Sequence, residues 1–129
     1  MALVGGILVL LLFGILVFGY LMSFRQTMTQ AAAEGARAGA VAATGNAQSD
    51  ATTAVNNSVG AFGQTCGSAG MTCDIPVPAT CTNNASATCI TVTLTFDYEH
   101  HPLLPDIPII GAFLPDSITT SAVAEVTTS

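Results

Sequence analysis

MALVGGILVLLLFGILVFGYLMSFRQTMTQAAAEGARAGAVAA, residues 1–43, decides the architecture of this 129-residue chain. Met1 to Phe24 carries no charged residue. At about 1.5 Å of helical rise per residue, the run from Met1 to Met22 is long enough to cross a bilayer. A secretory signal peptide would have a shorter apolar core followed by a small-residue cleavage site and ordinary mature sequence. Here helical character runs straight on. Ser23 to Ala43 contains no proline and is rich in alanine, so a single rod extends well past the membrane thickness.

No Lys or Arg precedes the span, although an uncleaved anchor normally keeps such residues on its cytoplasmic side. This pattern implies a basic leader removed upstream. Arg25 and Arg37, the only basic residues, lie after the span and taken alone would draw the C-terminal side inward. The cysteines argue the opposite orientation. Cys66, Cys73, Cys81 and Cys89 fall in one Gly/Ser/Thr/Asn-rich segment and read as two disulfides in an oxidising compartment. Their spacings lack the close C-x-x-C pairs of a zinc site. Three pairings are open, and short local loops favour Cys66 with Cys73 and Cys81 with Cys89. Residues 45–129 are thereby placed outside the cytoplasm.

Two domains follow: 1–44, a transmembrane or filament-core helix, and 45–129, an extracytoplasmic globular domain. The second is small enough to be marginal without covalent staples. Thr44-Gly45-Asn46 breaks the rod, and residues 48–62 form a short second helix with Ala51, Ala54, Val55, Val59 and Phe62 near helical spacing. A cysteine loop, 63–89, contains the extended Ile75-Pro76-Val77-Pro78, which is an edge strand or no strand. A β-sheet occupies 89–126. Cys89 to Tyr98 alternates, with Ile90, Val92, Leu94 and Phe96 on one face and threonines on the other. Ser117 to Val126 alternates likewise and suits antiparallel pairing with it. Between them, His100 to Pro115 is a stiff apolar loop with four prolines. The fold class is α+β: a long N-terminal helix, a short second helix and a small antiparallel sheet stapled by disulfides.

FGILVFGYLMSFRQTMTQAAAEGARAGAVAA, followed by a second helix and by ITVTLTFDYEHHPLLPDIPIIGAFLPDSITTSAVAEV, resembles the TadE-like pilins of tight-adherence pili. Ala33-Glu34-Gly35-Ala36-Arg37 carries much of the likeness, as does the Thr-rich strand running into PLLP; the cysteine loop lies outside it. The resemblance implies a prepilin cut by a prepilin peptidase, extracted from the membrane by pilus assembly machinery, and placed in or at the tip of a type IV-like filament. Many such pilins carry glutamate at the fifth mature position, whereas this chain has Gly5. If Met1 is the mature terminus, subunits dock without that contact.

Residue chemistry supports self-association independently. An uncharged helix leaving the bilayer needs another dry environment, and a bundle of identical helices in a fibre supplies one. Gly35 and Gly39 form a small-xxx-small spacing, and Gly14, Gly19, Ala32, Ala36 and Ala40 offer further flat surface for neighbouring backbones. Glu34 and Arg37, three residues apart, form an exposed pair, or in a fibre Glu34 meets Arg37 or Arg25 of its own or a neighbouring subunit. Asn56-Asn57-Ser58 and Asn84-Ala85-Ser86 match the N-glycosylation triplet.

A formal net charge of −6 lacks the electrostatic footprint of a nucleic-acid binder or a polybasic lipid-binding surface. Catalytic motifs are missing: the sequence has no G-x-S-x-G, no H-E-x-x-H and no lysine. His100 and His101, near Asp97, Glu99 and Asp106, are the one group with metal-ligand chemistry, yet adjacent histidines on extended backbone diverge, and a polar turn is the simpler reading. The chain thus reads as a non-enzyme without cofactor: a filament subunit whose second domain forms the outer surface. The alternatives are a minor pilin or pseudopilin that primes or caps assembly, and a membrane-anchored binding domain.

Overall fold

The computed structural model describes residues 2–43, 45–103 and 114–127. Helix α1 spans Ala2–Val41, 40 residues in one run, as expected of a proline-free, alanine-rich sequence. It stops where Gly45 adopts φ +90°, a backbone that side-chain-bearing residues avoid. Asn46 N–H donates to the Ala43 carbonyl at 2.9 Å, and Asp50 N–H to the Asn46 carbonyl at 2.9 Å, which reverses the chain into α2, Ala47–Val59. Asp50 lies in the first turn of α2, where a carboxylate opposes the positive end of the helix dipole. Ala47, Ala51, Val55 and Val59 are its buried stripe. The helical segment expected over 48–62 ends three residues early as α-helix and tightens into a 3-10 turn, Gly60–Phe62, closed by Gly63 N–H on the Gly60 carbonyl.

The sheet is built around β3, Asn84–Asp97. On one side β4, Ser117–Glu125, pairs antiparallel from Cys89↔Glu125 to Asp97↔Ser117. On the other, β1, Met71–Asp74, and β2, Ala79–Cys81, pair with successive stretches of β3, from Met71↔Phe96 to Asp74↔Thr93 and from Ala79↔Cys89 to Cys81↔Asn84. The stretch expected as a cysteine loop, 63–89, therefore holds two strands, and β3 begins five residues before Cys89. Both strands are too short to alternate legibly. β2 and the start of β3 are held by hairpin pairing and a disulfide rather than by an apolar face. Ile75 to Pro78 links β1 to β2 outside the ladder, with Gln48 Nε2 donating to the Ile75 carbonyl at 2.6 Å.

Disulfides join Cys66 to Cys73 and Cys81 to Cys89. The first ties the turn after α2 to β1. The second ties β2 to β3.

One face of the sheet covers both helices. Ile90, Val92, Leu94, Phe96, Ile118 and Met71 meet Leu21, Phe24, Met28, Ala32, Ala36 and Ala40 of α1 together with the stripe of α2. Edge-to-face aromatic contacts close the end nearest the apolar half of α1: Tyr20 on Phe62, Phe62 on Phe24, and Phe24 on Phe96 with centroids 5.0 Å apart. The packed unit thus begins near Leu21, inside α1. At the other end Thr127 N–H donates to the Ala40 carbonyl at 3.2 Å, fastening the chain after β4 to the end of α1. Outward from the sheet face Thr91, Thr93 and Thr95, with the Thr95 and Thr119 hydroxyls 3.4 Å apart across β3 and β4.

Candidate assembly surface

Helix α1 changes character along its length. Beyond Leu21 its apolar residues recur on one side, at Phe24, Met28, Ala31, Ala32, Ala36 and Ala40, and all are buried. Before Val17 no such stripe exists. Leu3 to Phe18 is apolar all round, and its large residues are 43% to 77% exposed, from Phe13 to Leu3, except Val17, which is buried. A helix apolar on every side is stable only inside a bilayer or among other helices. Leu3–Val41 is also long and apolar enough to cross a membrane.

The expected small-residue contacts divide into two sets. A Cβ built on Gly14 or Gly19 meets nothing within 4 Å, so both present open backbone on the exposed half; the same holds for Gly5. At Gly35 it would lie 2.6 Å from Val55 Cγ2 and 3.3 Å from the Ala51 carbonyl; at Gly39, 2.5 Å from Ile90 Cδ1 and 3.0 Å from the Ala47 carbonyl. The close approach expected between neighbouring subunits at Gly35 and Gly39 is therefore made within the chain. The glycines let α2 and β3 settle onto α1. Ala32, Ala36 and Ala40 are likewise buried in the chain's own core.

Glu34 Oε1 and Arg37 Nη1 are 3.8 Å apart with side chains 59% and 78% exposed, a pair worth little in isolation. Of the two glycosylation triplets, Asn56 is half-buried in α2 and its Oδ1 accepts the Cys66 N–H at 2.7 Å. Asn84 is exposed at the β2–β3 hairpin, where its Oδ1 accepts from Ser86 N–H and Oγ. Asn84 is the more accessible acceptor.

At the Tyr98 end of the sheet, His100 Nδ1 lies 2.9 Å from Asp97 Oδ2, and His100 N–H donates to Asp97 Oδ1 at 3.2 Å. The backbone donor, together with the ring and the charge of His100 and His101, holds the Asp97 carboxyl below its ordinary range. His101 packs against Gly70. Tyr98 and Glu99 N–H both donate to the Asp116 carbonyl at 3.0 Å, joining the two ends of the Pro-rich loop. Leu103 and Leu114 pack half-buried against the core. The remainder of that loop, 104–113, including Asp106, lies outside the described residues.

These observations set a largely exposed apolar segment beside a segment whose apolar face is buried within the chain. Residues 1–37 match the TadE-like protein family. The match ends inside α1, so it covers the exposed apolar half and the start of the packed half, and α2 and the sheet lie beyond it. No curated protein and no solved structure matches the chain. The TadE-like segment ends on Ala33-Glu34-Gly35-Ala36-Arg37, the five residues that also carried the resemblance. Gly35 in that group is spent on the packing of α2, and Glu34 and Arg37 face outward.

The sequence laid the small sheet on the helices, but not which stripe of α1 forms the inner wall of the core. The signal was present in the three- and four-residue spacing of Leu21, Phe24, Met28, Ala31, Ala32 and Ala36. It was hidden because alanine and glycine mark a tight helix contact as well as they mark a membrane helix.

Proposed function

We propose that this chain is a structural pilin subunit of a type IV-like, Tad-type filament, held in the cytoplasmic membrane by α1 before assembly and extracellular afterwards. Residues 3–18 polymerise in the fibre core, and the disulfide-stapled sheet, with its threonine face, forms the outer surface that meets other cells or surfaces. The single observation that carries this reading is the exposed, all-round apolar half of α1, in a segment matched by the TadE-like family, joined to a half whose apolar face is packed within its own chain. Prepilin peptidase and the pilus assembly machinery are the partners this role requires, and the task is structural rather than catalytic.

A minor pilin or pseudopilin is the second reading. It is favoured by the 129-residue length, since the main subunits of tight-adherence pili are typically shorter. Both readings are tested by shearing cells that make the chain, imaging the released material by electron microscopy and identifying its proteins and their N-terminal residues by mass spectrometry. Fibres made mainly of this chain support the major-subunit role. Absence from the fibres or trace amounts in them, with the bulk in the membrane, supports the minor one; absence from both fibres and membrane overturns both.

A further inference from the structure

We infer that Arg25 docks a second copy of this chain by pairing with the Glu99 and Asp116 carboxylates at the Tyr98 end of that copy's sheet. The inference rests on the filament reading and names a contact within it. Residues 45–129 carry seven of the eight acids, Asp50, Asp74, Asp97, Glu99, Asp106, Asp116 and Glu125, and neither Lys nor Arg. Copies packed side by side therefore confront one another with like charge. The only permanently charged cationic side chains a homopolymer can interpose are Arg25 and Arg37.

Those two are not equivalent. Arg37 already has Glu34 beside it. Arg25 is exposed, and among the described residues no carboxylate lies within ion-pair distance of it. It follows Phe24 directly and stands seven residues, about 10 Å, beyond Phe18, where the all-round apolar segment ends. Burying that segment among neighbouring helices draws Arg25 in beside other copies. A desolvated guanidinium without a counter-ion is strongly disfavoured, so the carboxylate it needs comes from another subunit.

The geometry selects which carboxylates. The Phe24 ring meets Phe96, so the end of β3 lies at the height of Arg25 along the rod. Asp97 there is engaged by His100. Glu99 and Asp116 are exposed, are held next to each other by the Glu99 N–H bond to the Asp116 carbonyl, and have no ion-pair partner among the described residues. A neighbouring copy at nearly the same height on the fibre axis presents this pair at the level of Arg25. Two adjacent carboxylates facing one guanidinium also satisfy its several donors.

The test compares sheared-fibre yield for the wild-type chain, Arg25→Glu, the double variant Glu99→Arg with Asp116→Arg, and the triple combination. Membrane levels and both disulfides are checked on non-reducing gels. Arg25→Glu is expected to lower fibre yield about tenfold or more with the membrane pool intact, and the triple variant to recover it. Unchanged yield in Arg25→Glu, or no recovery in the triple variant, overturns the pairing. If Arg25→Glu fails to accumulate, Arg25→Gln and the Glu99→Gln with Asp116→Gln variant are compared: equal loss supports the contact, and normal yield overturns it. Wild-type chain missing from the fibres is a different result, which removes the filament reading itself.

Discussion

A methyl group added at position 35 would press on Val55 Cγ2, whose branched side chain has little freedom to yield, and on the fixed carbonyl of Ala51. Gly35→Ala should therefore destabilise the folded unit by about 1–3 kcal/mol, less up to about 1 kcal/mol returned by the better helix propensity of alanine. Gly14→Ala meets no atom and should leave thermal stability in detergent unchanged or slightly higher, yet lower fibre yield if Gly14 faces a neighbouring helix. Equal effects at both positions would contradict the division of α1 into a packed and an exposed half. Asp97 gives a second residue-scale prediction. Its carboxyl is held below the ordinary aspartate value of about 3.9, so its contribution to stability is present above that value and is lost as pH falls through the lowered one. The wild type should lose more thermal stability than Asp97→Asn on acidification from pH 7 through this window. Parallel melting profiles would show that the contact with His100 contributes nothing, a real risk for a solvent-screened pair.

Elements were legible in proportion to their periodicity. Ile90, Val92, Leu94 and Phe96 alternate with threonines, and Ile118 to Ala124 repeats the pattern, so β3, β4 and their antiparallel pairing could be read directly. The rod could be read from an absence of charge and proline. β1 could not, because Met71-Thr72-Cys73-Asp74 offers two inward positions, one of them a cysteine already claimed by a disulfide. The inward side of α1 was hidden by its small residues, since Gly35 and Gly39 look the same in sequence whether the helix they admit comes from the same chain or another. The disulfides compensate where side-chain burial is thin. They close loops of nearly equal span, 7 and 8 residues, so the chain-entropy estimate assigns each about 2–3 kcal/mol. Replacing either pair by serine should lower the thermal midpoint by similar amounts, read by melting the detergent-solubilised protein. Loss of the Cys66–Cys73 pair without any shift would mean that β1 is held by its ladder alone.

At the scale of the molecule, the chain is a compact two-layer unit from Leu21 onward with an uncovered apolar helix projecting from it. A bilayer or a bundle of neighbouring helices would satisfy the projecting half, and the polar, threonine-faced sheet is suited to neither. Net charge adds a constraint on any polymer, since seven acids in residues 45–129 face two arginines on the rod. The central claim is thus geometric: residues 3–18 lie at the fibre axis and the sheet lies at the periphery. Cryo-electron microscopy of sheared filaments tests it most directly. The account predicts a core of packed helices traced by Leu3 to Phe18, with the Cys66–Cys73 and Cys81–Cys89 bridges resolved in an outer shell. A fibre joined through sheet-to-sheet contacts with that helical segment at its surface, or a fibre without this chain, would contradict it.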